Sequence, residues 1–173
     1  MPSPTTPNVA KRDRHDGEHL RKHIPIDTDP GRMLTIRRRI AAPPERLFAY
    51  WTDPAHLARW WGPVGVTCDS ATVDLRVGGA YRIGNRFADG TVLWISGVFE
   101  TIEPPRQLIY SWRLGDADAV ERVSVTFTPV GDSTEVVIVH ERIASSETRE
   151  GHERGWQECL DGLSAYAARQ ANS

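Results

Sequence analysis

Apolar and polar residues alternate through most of the chain from residue 33 onward. Between Met33 and Ile40, the apolar residues Leu34, Ile36 and Ile40 alternate with polar side chains, which is typical of a half-buried strand. Six further segments have strand character: 66–76, 80–87, 91–102, 107–114, 121–129 and 134–142. The breaks between them are rich in Gly, Pro and Asp, and Asp89-Gly90 is the clearest hairpin turn. Such short connections predict an antiparallel meander.

Helical spacing appears in three places. Pro43-Pro44 favours a short helix with Leu47, Phe48 and Trp51 on its apolar face. Asp53-Pro54 begins a second short helix, which Gly62-Pro63 ends. The last segment, about 146–169, repeats apolar residues every three or four positions and predicts a long amphipathic helix.

This order of elements predicts an α+β fold with a curved antiparallel sheet of about seven strands. Two short helices follow the first strand, and the long C-terminal helix packs across one face of the sheet. A single helix cannot close tightly over so wide a sheet, so we expect a cavity between the two layers. The domain should occupy residues 32–170.

The first 31 residues differ from this pattern, because they are rich in Pro, charge and His and contain few large apolar side chains. We interpret residues 1–31 as a flexible charged tail. His15, His19 and His23 have a spacing that would bind a metal on one face of a helix, but Gly17 and the lack of apolar partners favour the tail.

Composition and motifs argue against several classes of function. The formal net charge of −2 argues against a nucleic-acid binder. No apolar run is long enough for membrane insertion, and the N-terminus lacks the apolar core of a secretory signal, so we expect a cytoplasmic protein. Phosphate-loop, dinucleotide-binding and zinc motifs are missing from the sequence, which predicts no cofactor and no metal. The oligomeric state is expected to be monomer or homodimer.

Several motifs occur in a characteristic order between residues 33 and 168. They are Arg38 with Ala42-Pro43, the run 47–54, Trp60-Trp61-Gly62-Pro63, Asp74 with Gly78-Gly79, Gly97 with Phe99, Pro104-Pro105-Arg106-Gln107-Leu108, Tyr110-Ser111-Trp112, the run 123–127, His140, and His152 with Gly155-Trp156. With these motifs the sequence resembles a START-like helix-grip (SRPBCC) domain. More closely, it resembles the bacterial family named after the activator of heat-shock protein 90 ATPase, homologue 1-like.

The resemblance implies a pocket more than a reaction. Members of this superfamily typically bind lipophilic or aromatic small molecules between sheet and helix, and some are polyketide cyclases or aromatases. We therefore favour binding of a hydrophobic small molecule over an enzyme. The alternatives are a cyclase, dehydratase or hydrolase that uses the same cavity, and a co-chaperone or stress-response interaction module. The family name derives from a two-domain co-chaperone, of which this chain matches one domain.

The candidate cavity residues are mainly aromatic, since ligand cavities are mostly apolar with a few polar groups. They are Phe48, Trp51, Trp60, Trp61, Tyr81, Trp94, Tyr110, Trp112, Phe127, His140, His152, Trp156, Leu160 and Leu163. For Trp112 and Trp156, core packing and ligand contact are equally good interpretations. Trp60 and Trp61 are adjacent, so we expect that both cannot face inward from one helix.

The polar candidates carry alternatives. His140 shares a strand face with Val136 and Ile138, and a hydrogen-bonded core histidine is favoured over a ligand-binding or catalytic one. We expect Trp112, His140, Trp156 and Leu160 to line one interior space. Tyr81 and Tyr110 are candidate polar contacts, as are Arg82 and Asp74, for which an outer-face position is favoured.

No catalytic residue is assigned from the sequence. His152 and Cys159 are seven residues apart, about 10.5 Å along a helix, which is too far for a nucleophile and its base. A bond between Cys68 and Cys159 remains open, although free cysteines are favoured.

Overall fold

Seven antiparallel strands form one curved sheet in the computed structural model, which describes residues 29–173. The strands are β1 (Leu34–Ile40), β2 (Thr67–Val73), β3 (Ala80–Arg86), β4 (Val92–Glu103), β5 (Gln107–Leu114), β6 (Glu121–Val130) and β7 (Ser133–Glu141). Their order across the sheet is β1-β7-β6-β5-β4-β3-β2. The predicted meander is therefore confirmed, with β1 added beside β7.

Three α-helices accompany the sheet. They are α1 (Pro44–Thr52), α2 (Pro54–Trp60) and α3 (Ser146–Ala171), and a short 3-10 helix, Pro30–Arg32, precedes β1. Asp53 caps α2 by accepting a hydrogen bond from the Ala55 backbone N–H, and Ser145 caps α3 in the same way through Thr148. These elements confirm the predicted α+β helix-grip fold.

Residues 1–28 lie outside the part of the chain that the structure describes. The three histidines of the predicted tail belong to that segment. Both the tail and the domain boundary at residue 32 stay predictions.

The alternation on β6 and β7 sends one set of side chains toward α3. Val123, Val125, Val136 and Ile138 are fully buried there, and so is His140. The inward register predicted for the last strand is therefore confirmed, since a slip of one residue would have placed His140 in solvent.

Helix α3 crosses the sheet over β1, β7 and β6. The indole of Trp156 donates a hydrogen bond to His140 on β7. Arg38 on β1 is 2.6 Å from Asp161 of α3, so it is a paired arginine at the strand edge. Among the described residues, no helix is both long and apolar enough to cross a membrane.

Candidate functional site

Five of the six tryptophans meet in the interior between the sheet and α3. Their ring centroids are separated by 5.1–6.5 Å in a connected set of contacts, which comprises Trp51, Trp60, Trp61, Trp112 and Trp156. Tilted and edge-to-face arrangements dominate, as is usual for aromatic pairs. The predicted aromatic interior is present in this structure.

Both Trp60 and Trp61 are buried, so the expectation that only one faces inward is wrong. Helix α2 ends at Trp60, and Trp61 has an extended backbone with φ −68° and ψ 138°. The helical geometry on which the expectation rested does not apply across this pair. The change of backbone conformation lets two successive indoles enter the same interior.

Two cavities lie beside the tryptophan cluster. The first has a volume of about 20 Å³. Its walls include five of the residues that the sequence predicts to line a cavity: Trp51, Trp61, Tyr81, Tyr110 and Trp112. The second has a volume of about 110 Å³, and its walls include Trp61, Trp112, His152 and Trp156 among the predicted residues. Trp61 and Trp112 belong to both walls, so the two cavities are adjacent.

The remaining inward candidates are buried without lining either cavity. They are Phe48, Trp60, Phe127, His140, Leu160 and Leu163. Of the four residues expected around one space, Trp112 and Trp156 line the larger cavity, and His140 packs against both indoles. Leu160 is fully buried in the core and does not reach that cavity.

Trp94 lies on the opposite face of the sheet, so its assignment to the cavity is corrected. Its neighbour Ile95 is buried in the interior, and alternation along β4 turns Trp94 outward. The Arg82 guanidinium carbon lies 3.7 Å from the centroid of the Trp94 ring, a cation–π contact on the outer face. Arg82 is therefore outside the cavity, as the favoured interpretation had it.

A buried carboxylate that the sequence analysis missed organises the polar end of the interior. Oε2 of Glu121 is 2.6 Å from Nε2 of His140 and 2.8 Å from Nε2 of His152. The two imidazole rings are stacked with centroids 4.4 Å apart. Trp156 completes the network, because its Nε1 is 3.0 Å from Nδ1 of His140.

The hydrogen-bond directions fix the proton positions in this network. An indole N–H can only donate, so Nδ1 of His140 is the acceptor and carries no proton. Nε2 of His140 therefore carries the proton that is donated to Glu121. His152 also donates through Nε2, which leaves its Nδ1 as an acceptor when the ring is neutral.

The pKa values agree with these proton positions. Burial opposes ionisation of Glu121, but the hydrogen bonds from His140 and His152 outweigh it and lower the pKa of Glu121 to about 2. Burial lowers the pKa of His140, and the hydrogen bond to Glu121 only partly offsets this effect. At neutral pH the network thus contains an ionised carboxylate and a neutral His140.

Glu121, His140 and His152 have ligand atoms within 4.8 Å of one another, a spacing that also suits a metal ion. A metal-bound histidine normally donates its other ring N–H to an acceptor. Here the other nitrogen of His140 accepts from Trp156, so Nε2 holds a proton where a metal would need a lone pair. These donors fit a hydrogen-bonded network rather than a metal centre.

The phenols and thiols of the interior are not activated. Burial raises the pKa of both Tyr81 and Tyr110 above the ordinary value, and the Tyr81 hydroxyl donates to the Ser111 carbonyl at 2.7 Å. Burial also raises the pKa of Cys159 to about 12, so it is a thiol at neutral pH. Cys68 and Cys159 are both free, which decides against the disulfide.

Comparison with known proteins places the chain in one family. Residues 41–168 match the Activator of Hsp90 ATPase homolog 1-like protein family. The chain belongs to this family. Among curated proteins, no match to the chain is found.

Solved structures of the family are similar over most of this chain. A protein from Chromobacterium violaceum is 31% identical with a TM-score of 0.72, and the match covers 78% of this chain and 96% of that one. A family member from Silicibacter pomeroyi is 29% identical, with a TM-score of 0.72 and coverages of 80% and 99%. An HSP90 activator from Plasmodium falciparum is 26% identical, with a TM-score of 0.61 and coverages of 76% and 93%.

Proposed function

We propose that the protein binds a small, largely apolar molecule with a hydrogen-bond acceptor in the larger interior cavity. The observation that carries this proposal is the indole N–H of Trp112, which is buried and has no hydrogen-bond partner within residues 29–173. A buried donor left without a partner costs about 1–3 kcal/mol. An acceptor on a molecule in the cavity would remove this cost.

The other indoles of the cluster support this interpretation because each has an acceptor within the protein. The pairs are Trp51 with the Tyr110 hydroxyl, Trp60 with the Tyr50 carbonyl, Trp61 with the Asn85 side chain, and Trp156 with His140. Within the interior cluster, only Trp112 lacks one, and Trp112 lines both cavities.

Two glycines in α3 support the same site. Gly151 and Gly155 are one turn apart and line the larger cavity, where an added Cβ at either position would meet nothing within 4 Å. A glycine inside a helix costs about 1 kcal/mol relative to alanine. Packing gives no reason for this cost at the half-buried Gly155, whereas keeping the cavity open does.

The cavity volume limits the ligand to about one ring. An engineered apolar cavity of about 150 Å³ in another protein binds benzene. At about 110 Å³, the larger cavity here is somewhat smaller. Fatty acids, flavonoids and polycyclic compounds would need the indole walls to move.

Binding fits the residues better than the enzymatic alternative does. His140 is neutral, has both ring nitrogens engaged and does not line the described cavities. Arg82 is on the outer face, so it cannot polarise a carbonyl together with Tyr81 or Tyr110 inside. The co-chaperone alternative rests on the family and on the Plasmodium falciparum relative.

The experiment is a calorimetric titration with toluene and anisole, because anisole adds an acceptor to a ring of similar size. Both should bind saturably to the wild type, and Gly155→Leu should abolish binding by filling the cavity. Arg154→Leu places the same side chain at an exposed neighbouring position of α3 and should leave binding unchanged. No saturable heat with either compound, or binding that survives Gly155→Leu, would contradict the proposal.

A further inference from the structure

Two residues that line the larger cavity carry an unused hydrogen-bond donor and an unused acceptor. The donor is the unpartnered indole N–H of Trp112. The acceptor is Nδ1 of His152, because Nε2 of that ring is the atom that donates to Glu121. Both residues line this cavity. We infer that the site selects a neutral hydroxyl compound, such as a phenol, whose oxygen accepts from Trp112 while its proton is donated to His152. This inference rests on the proposed function.

The hydrogen bond between His152 and Glu121 fixes which nitrogen of His152 is the acceptor. Glu121 is ionised and 2.8 Å from Nε2 of His152, so the neutral ring must keep its proton on that nitrogen and its lone pair on Nδ1. Nδ1 makes no hydrogen bond to any of the residues 29–173, and the His152 side chain keeps 11% of its surface accessible. The lone pair on Nδ1 is therefore not used within the described residues, and part of the side chain is accessible.

The rings of Trp112 and His152 contact each other edge to face beside the cavity. The centroids of Trp112 and His152 are 6.1 Å apart, and the ring planes are almost perpendicular at 82°. A hydroxyl group has one donor hydrogen and two acceptor lone pairs. An ether or ketone oxygen can only accept, so it would satisfy Trp112 and leave His152 without a donor.

Charge excludes the anionic counterpart. The Glu121 carboxylate is the near neighbour of both histidines, and His140 adds no positive charge because its ring is neutral. Beside a neutral His152, a ligand carboxylate would be repelled by Glu121 and would have no proton to donate to Nδ1. We therefore expect phenol to bind and benzoate to bind weakly or not at all.

Water is the alternative occupant, since a water molecule also donates and accepts. The test compares phenol, anisole, toluene and benzoate by calorimetry on the wild-type protein. If each of the two added hydrogen bonds contributes its usual net amount of about 1 kcal/mol, phenol should bind about thirtyfold more tightly than toluene, with anisole between them. Equal binding of phenol and toluene would show that the two groups are satisfied by water and would overturn the inference.

Two variants test whether Trp112 and His152 cause the preference for phenol over toluene. Trp112→Phe and His152→Phe should each reduce the phenol-to-toluene affinity ratio by threefold or more while toluene still binds. The matched controls are Trp60→Phe, which removes an indole that donates to Tyr50 in the core, and His56→Phe, which removes a histidine paired with Tyr166. Both controls should keep the ratio, and circular dichroism checks that each variant is folded.

The failures can be told apart. A ratio that survives both Trp112→Phe and His152→Phe overturns the hydroxyl inference but leaves binding in the cavity intact. The absence of binding by all four compounds overturns the proposed function and this inference with it.

Discussion

Gly155 and Gly162 lie on the same helix, and the same substitution at each should change stability in opposite directions. A Cβ at Gly155 would meet nothing within 4 Å, because the residue borders the larger cavity. A Cβ at Gly162 would lie 2.8 Å from the Trp60 carbonyl oxygen, closer than real contacts allow. Glycine is therefore present for different physical reasons at the two positions: open space at Gly155 and a close backbone contact at Gly162.

The expected magnitudes follow from these contacts. Gly155→Ala should raise the free energy of unfolding by about 1 kcal/mol, the usual difference in helix propensity. Gly162→Ala has the same propensity gain but forces α3 away from Trp60, and overpacking of this kind costs about 1–3 kcal/mol. The net effect at Gly162 should be a loss of about 0–2 kcal/mol from these two values.

Urea unfolding followed by circular dichroism measures both changes, and Tm should rise by about 2–4 °C for Gly155→Ala. Calorimetry with toluene on Gly155→Leu then tests whether the open space at position 155 is the binding site. A variant that stays folded but no longer binds toluene would show that the leucine side chain fills the cavity. If Gly155→Ala destabilises the protein, position 155 is already packed and the argument from open space fails.

Two further predictions concern the network around Glu121. Since the folded-state pKa of Glu121 is about 2 against an ordinary 4.5, its stabilisation is complete above pH 4.5 and is lost as the pH falls toward 2. The lowered pKa of His140 adds a loss that begins below pH 6.5. In urea titrations from pH 7 to 3, Glu121→Gln should remove the part of this loss below pH 4.5 and leave the part due to His140, with exposed Glu147→Gln as control. A stability loss that is unchanged below pH 4.5 would contradict the assignment. Zinc should not raise Tm, and a rise abolished by His140→Phe would refute the assigned proton positions of the two histidines.

The sequence predicted the strands well because its turns are chemically explicit. Asp89-Gly90 and Gly131-Asp132 interrupt regular alternation, so both strand boundaries and inward faces could be assigned. The burial of His140 followed from its alternation with Ile138 and Val136. Backbone changes at element ends were harder, because nothing in the pair Trp60-Trp61 reveals that the helix stops between them.

Individual site residues were predicted less well. Trp94 was included as an aromatic residue, although its alternation with Ile95 already indicated the outer face. Glu121 was missed for a similar reason, since it shares the inward alternation of Val123 and Val125 but was treated only as the start of a strand. In both cases the two-residue alternation of the strand indicated the correct face of the sheet, whereas the residue type suggested the wrong one. The missing partner of Trp112, by contrast, is a fact of three-dimensional packing that no local pattern contains.

The polar network has a direction that links the core to the cavity. Trp156 donates to His140, His140 donates to Glu121, and His152 donates to the same oxygen. Every proton therefore points toward Glu121, and the outer end of the network is the acceptor Nδ1 of His152. Burying a carboxylate is costly, and a well-packed apolar group in its place is often as stable or more so. What apolar residues could not do is fix the tautomer of a histidine that borders a cavity beside an unpartnered indole. Stability alone does not account for Glu121, whereas the recognition of a polar ligand group proposed above would account for it.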